Sequence, residues 1–260
     1  MSSPNFRNVL IYFWRSIISN PVVHVFFLMY SLALLLLSAF PIVGFFFAML
    51  WQISLFSVGA YLNRAILENK DDLQSFEDRI KRTSFSELLL SYPDTALGAF
   101  VGTFILAFIF QFCIIMIGIA SFGSDFTEFI LKGEKPPQVE SQIDPVLFIG
   151  ILLLLIVFLV VIWVAPVAYG YTLQQENFLS AFKGVFKVFN YDFFKATLRL
   201  DYVKMYFAFM ITAFILIISG GILTLHPVTS PFGLALIYGS ALLYFSFATH
   251  AYLLCKPFEK

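Results

Sequence analysis

Three histidines, His24, His226 and His250, and two cysteines, Cys113 and Cys255, are the residues of this chain best suited to metal binding or nucleophilic catalysis. None stands in a spacing that either chemistry needs. A zinc protease places two histidines four apart on one helix face with a carboxylate between them, and no such run occurs. The sequence also lacks a Gly-x-Ser-x-Gly elbow and a phosphate-cradling Gly-x-x-x-x-Gly-Lys loop. The expected sets of catalytic, cofactor-binding and metal-binding residues are therefore empty, and no cofactor is expected. Within the most apolar tracts the strongest polar groups are Gln52 and Gln111, each expected to make a hydrogen bond between helices. His24 and His250 fall near tract ends, where a ring at the membrane surface would be half wet.

Stepping outward from these residues, the charges define the elements. No Asp, Glu, Lys or Arg occurs between Val22 and Ala60, Thr95 and Ala120, Pro145 and Gln175, Met205 and Leu225, or Pro231 and Cys255. Hydrophobic residues make up 60% of the 260 and charged ones 12%, about half the share of a soluble domain. Tracts this long and uncharged require a bilayer. The net charge of zero points to no nucleic-acid partner. The 34 Phe suit lipid-facing surfaces and helix packing. Cys113 and Cys255 are expected at different depths, as free thiols and not a disulfide. The first apolar run begins at Val22 and far exceeds a cleavable signal's core, so it reads as a retained first span.

A helix crosses roughly 30 Å of hydrocarbon in about 20 residues. The chain thus divides into six spans near 22–40, 42–62, 95–120, 145–171, 203–225 and 231–255, with Pro41 at the first reversal and Pro231 in a first turn. Fourteen of the 16 Lys and Arg then fall on one side. They are Arg7 and Arg15; Arg64, Lys70, Arg79, Lys81 and Arg82; Lys183, Lys187, Lys195, Arg199 and Lys204; Lys256 and Lys260. Only Lys132 and Lys135 fall on the other, so both termini are expected in the cytoplasm. The fold class is all-α: a single polytopic membrane domain, 1–260, placed in a bacterial inner membrane.

The segments between spans are patterned too. From Phe6 to Ile18 the residues Phe6, Val9, Leu10, Phe13, Trp14, Ile17 and Ile18 follow helical spacing, opposite Arg7 and Arg15. Phe178, Leu179, Phe182, Val185, Phe186 and Phe189 do the same opposite Lys183 and Lys187. Both predict amphipathic helices in the cytoplasmic interface, with Arg7, Arg15, Lys183 and Lys187 as headgroup contacts. The 73–90 region is a weaker third case. A helix followed by an out-and-back pair of spans therefore recurs three times, without residue identity to prove a repeat. The acidic 121–144 segment suits a solvated connector, or a docking loop with a short helix over Phe126, Phe129, Ile130 and Leu131.

Small residues mark close approaches. Gly98 with Gly102, and Gly220 with Gly221, suit helix packing within the chain or dimerisation. Pro166 is expected to bend the fourth span, leaving Tyr169 and Tyr171 at headgroup level. An Ala165-Pro166 step followed by Leu179-Ser180-Ala181-Phe182-Lys183-Gly184-Val185-Phe186-Lys187-Val188 resembles a group of bacterial membrane proteins. The group includes the YciC-like inner-membrane proteins and the membrane domain of some glycerophosphodiester phosphodiesterases. Ala181, Phe186 and Val188 match its pattern, whereas Asn177 and Val185 stand where Ser is usual and Phe182 replaces an aliphatic residue. The resemblance implies a six-span, non-catalytic membrane protein and transfers no active site.

The functional expectation is a non-enzymatic membrane protein acting through lipid or protein contacts: a complex subunit, assembly factor or envelope-maintenance component. Its partners would be membrane lipids and a membrane-protein partner or a second copy. The alternative is a transporter or permease subunit for an apolar or lipid-like substrate.

Overall fold

A computed structural model describes residues 4–40, 43–122, 145–225 and 229–256. The described residues are helical, with no strand among them. Pro41, the 121–144 segment beyond Phe122 with its expected helix at 126–131, His226 and Lys260 lie outside them.

Helix α1 is Phe6–Ser19 and α2 is Pro21–Ser38; α3, Gly44–Glu68, follows the first reversal. Two short helices, α4 (Leu73–Arg82) and α5 (Phe85–Leu90), precede α6 (Pro93–Phe122) and α7 (Pro145–Thr172). Helix α8 (Phe178–Val185), a 3₁₀ turn (Phe186–Phe189) and α9 (Tyr191–Ala196) precede α10 (Leu200–Thr224) and α11 (Ser230–Cys255). Six of these, α2, α3, α6, α7, α10 and α11, are long and apolar enough to cross a membrane. Short helices precede each of the three long pairs, as the sequence pattern predicts.

Local chemistry sets the breaks. Asn20 accepts from the Val23 N–H and is followed by Pro21, so one residue ends α1 and starts α2. Asp72 caps α4 by accepting from the Gln74 and Ser75 N–H groups. Ser84 and Glu87 form a capping box that starts α5, which splits the 73–90 region in two. Asn177 and Asn190 cap α8 and α9 in the same way.

The chain forms two compact units, Met1–Gly102 with Val164–Lys260, and Thr103–Trp163. In the first, α11 is central: 56% of its apolar window is buried, against 39% for α3 and 28% for α2. It packs against α10, α3, α1 and α2. Phe209 of α10 stacks on Phe247 of α11 at 4.3 Å, and Tyr202, Tyr206 and Tyr244 close around that pair. Ala60, Ala99, Leu173 and Phe245 form a second cluster that joins α3, α6, the turn just after α7, and α11. In the other unit Phe110 meets Phe158 edge-on at 5.6 Å, and Phe108, Phe112, Leu153 and Leu159 are exposed.

Candidate functional site

At one end of the first unit, the start of α2, the end of α3, the starts of α6 and α10, and the ends of α7 and α11 meet the short helices. Polar side chains do the joining. Tyr12 of α1 donates to the carbonyls of Asn69 and Lys70, both at 3.1 Å. Burial, with Asp71 and Asp72 nearby, raises its phenol above the ordinary pKa of 10.0. Ser246 of α11 donates to the Val9 carbonyl at 2.9 Å. Asn20 donates through its amide to the carbonyls of Ile80 and Thr83, at 3.0 and 2.9 Å. It thus satisfies the last turn of α4 while capping α2.

The end of α3 carries the densest cluster. Arg64 donates to the Gln175 carbonyl at 2.7 Å and lies 3.9 Å over the Tyr92 ring. Thr95 donates to that same carbonyl. Arg79 pairs with Glu68, contacts the Tyr92 hydroxyl at 3.4 Å and lies 5.5 Å from the Tyr61 ring centre. Tyr61 donates to Thr83 at 2.6 Å. Asn63, fully buried, donates to Gly170 O at 3.2 Å and Thr249 Oγ1 at 2.9 Å, tying α3 to α7 and α11. Arg199 donates to Leu254 O at 3.0 Å, at the end of α11.

Beside this packed layer the four expected headgroup contacts differ. Arg7 and Lys183 are exposed, and among the described residues neither has an ion-pair partner. Arg15 is exposed but pairs with Glu77 at 3.2 Å. Lys187 is half-buried in the 3₁₀ turn. Val9, Tyr12, Phe13 and Ser16 bury one side of α1 within the protein, which leaves Trp14 and Ile18 exposed at 55% and 64%. Phe178, Leu179, Phe189, Tyr191, Leu198 and Leu200 are exposed along and after α8.

The expected packing residues also separate. A Cβ at Gly98 would stand 2.3 Å from Phe178 O, and one at Gly102 would stand 2.9 Å from Val185 Cγ2. This pair seats α8 on α6 within one chain. Gly220 approaches Gly233 O, whereas nothing lies within 4 Å of a Cβ at Gly221. Pro166 is buried and α7 continues six residues past it. Tyr169 is buried, stacked on Phe56 at 6.1 Å and edge-on to Tyr244 at 6.0 Å, and Tyr171 is half-buried. Gly59, Gly170 and Gly184 make equally tight approaches, to Phe245, Ala248 and Thr172.

The two histidines among the described residues are buried, contrary to the half-wet expectation, at 6% exposure for His24 and 3% for His250. His24 Nε2 lies 2.9 Å from Ser16 O, which can only accept, so the proton sits on Nε2 and Nδ1 accepts from the Tyr238 hydroxyl at 2.8 Å. His250 donates through Nδ1 to Ser246 O at 2.8 Å. The Ser16 and Ser246 hydroxyls donate to main-chain carbonyls, and among the described residues no His, Cys, Asp and Glu group has metal-binding geometry. Gln52 and Gln111 are exposed on α3 and α6, and among the described residues the buried side-chain amide is that of Asn63. Cys113 and Cys255 are free thiols.

No known protein family, curated protein or solved structure matches the chain.

Proposed function

We propose that the chain is a non-enzymatic multi-pass protein of a bacterial inner membrane, with its basic end and both termini in the cytoplasm. It acts through contact with anionic lipid headgroups and with membrane-protein partners, as a subunit, assembly factor or envelope-maintenance component. The observation that carries this reading is the gathering of short helices, exposed basic groups and exposed apolar rings at one end. Trp14, Ile18, Phe178 and Leu179 supply the apolar side, and Arg7 and Lys183 the cationic side, of a surface that suits a lipid interface. Each Lys or Arg near an anionic surface contributes about 1 kcal/mol. The loose likeness to YciC-like proteins supports the same reading.

The test is native mass spectrometry of the protein in nanodiscs made from inner-membrane lipid. The expected result is a protomer enriched in anionic phospholipid, or bound to a stoichiometric second chain, with the lipid enrichment lost in an Arg7→Gln, Lys183→Gln variant. Lipids at bulk composition and no partner would refute it. A permease for an apolar substrate is the second reading, favoured by a cleft between α2, α3 and α11.

A further inference from the structure

Helices α6 and α7 each run from one compact unit into the other, and both crossings fall where the helix is softened. The boundary lies between Gly102 and Thr103 in α6, and between Trp163 and Val164 in α7. Glycine leaves the α6 backbone without a side chain to stiffen it. Pro166 has no N–H to offer the Ile162 carbonyl, so the turn from 162 to 166, which spans the second crossing, lacks that rung of the helix. Packing changes at the same two places. Before Thr103, α6 is pinned, since a Cβ at Gly98 or Gly102 would meet Phe178 O, Ala181 or Val185. Beyond it Phe104, Ile105, Phe108, Ile109 and Phe112 are exposed. After Trp163, α7 buries Val164, Val167 and Ala168, and Gly170 abuts Ala248 O. Before it Leu153, Leu155, Ile156 and Leu159 are exposed.

Length gives the softening a use. Helix α7 has 28 residues and no charge, which at 1.5 Å per residue is about 42 Å of apolar helix. Helix α6 is uncharged from Thr95 to Ala120, about 39 Å. Both exceed hydrocarbon roughly 30 Å thick, whereas the 18 residues of α2, about 27 Å, fit it upright. A helix longer than the bilayer tilts or bends. The inner ends of α6 and α7 are pinned, so the outer parts must take up the excess. They are also where lipid has most purchase: 11% of the α7 window and 17% of the α6 window are buried, against 56% for α11.

We propose that Thr103–Trp163 is a hinged arm, turning at Gly102 and Pro166, whose tilt follows the thickness of the bilayer. The arm answers to the acyl chains and not to the headgroups, so it stands apart from the functional reading above and holds whichever way the basic end faces.

The test uses the full chain with Cys113→Ala and Cys255→Ala, and nitroxide pairs on introduced cysteines at exposed positions. Distances are read by double electron–electron resonance in nanodiscs of short-chain dimyristoleoyl- and long-chain dierucoyl-phosphatidylcholine. Leu179→Cys with Phe148→Cys joins the first unit to the arm. Leu179→Cys with Leu225→Cys stays within the first unit, and Ile105→Cys with Phe148→Cys stays within the arm. The expected result is a shift of about 4 Å in the first pair between the two lipids, from a tilt change of about 10° acting from Trp163 out to Phe148. The two control pairs should stay fixed, and Pro166→Ala, which restores the missing N–H, should at least halve the shift. A Leu179–Phe148 distance equal in both lipids would overturn the arm. So would a control pair that shifts as much, since the whole chain would then deform. A shift left whole by Pro166→Ala would overturn the hinge at Pro166.

Discussion

The seating of α8 on α6 makes a quantitative prediction for Gly98→Ala. The added Cβ would lie 2.3 Å from Phe178 O and 2.9 Å from Ala181 Cβ, where ordinary contact begins at 3.4 Å. The first obstacle is backbone, so no side-chain rotation relieves it, and α8 must retreat by about 1 Å. Overpacking of this kind costs about 1–3 kcal/mol, and a fixed obstacle places it near the upper end. Alanine returns about 1 kcal/mol of helix propensity in α6, for a net loss of about 2 kcal/mol. For chains of this size that corresponds to a melting temperature lower by roughly 4–8 °C. Gly221→Ala is the control: nothing lies within 4 Å of its Cβ, so it should melt at or slightly above the parent. Thermal unfolding in detergent, followed by circular dichroism, measures both. If the two variants melt together the packing argument fails. If Gly98→Ala instead splits a dimer and leaves the protomer's melting unchanged, Gly98 belongs to an interface between copies.

Two further predictions concern the polar joints. Asn20→Ala removes the cap of α2 and leaves the Ile80 and Thr83 carbonyls without their donor. The cost is about 2 kcal/mol, and if it falls on local opening the α4 amides should exchange roughly thirty-fold faster, with α10 unaffected. Hydrogen exchange resolved by peptide reads this directly. Asp72 is held below its usual 3.8 by the Ser75 hydroxyl and N–H and by the Gln74 N–H. A depressed carboxylate supports the fold above its unfolded pKa and loses that support as pH falls through its folded value. Protection of the first turn of α4 should therefore hold from pH 7 to 5 and decline below about 4, a decline absent in Asp72→Asn.

The long elements were legible because bilayer crossing constrains composition over some twenty residues, and no local detail overrides it. Each expected span lies within a few residues of a long helix, from Pro21–Ser38 to Ser230–Cys255. Gly98 and Gly102 were legible for a related reason: four residues apart, they clear one helix face. The polar joints were harder. Asn63 and Arg64 lie at the charged end of α3 and resemble solvated residues until α7 and α11 bring Gly170, Gln175 and Thr249 to them. The 73–90 region reads as one weak helix unless Thr83-Ser84 and Glu87 are recognised as a stop followed by a capping box. Ser19-Asn20-Pro21 carried a cap signal of the same kind. Nothing in the sequence marks Ser31 Oγ or Trp51 Nε1 as buried groups without a hydrogen-bond partner.

Which way the basic end faces decides the proposed topology. Lys183 is exposed on α8, and Leu225, 85% exposed, stands at the far end of α10. In a chain with Cys113→Ala and Cys255→Ala, single cysteines at these two positions can be labelled with a membrane-impermeant maleimide. Lys183→Cys should react only in inverted vesicles and Leu225→Cys only in intact spheroplasts. The reverse pattern, or labelling of both from one side, would contradict it.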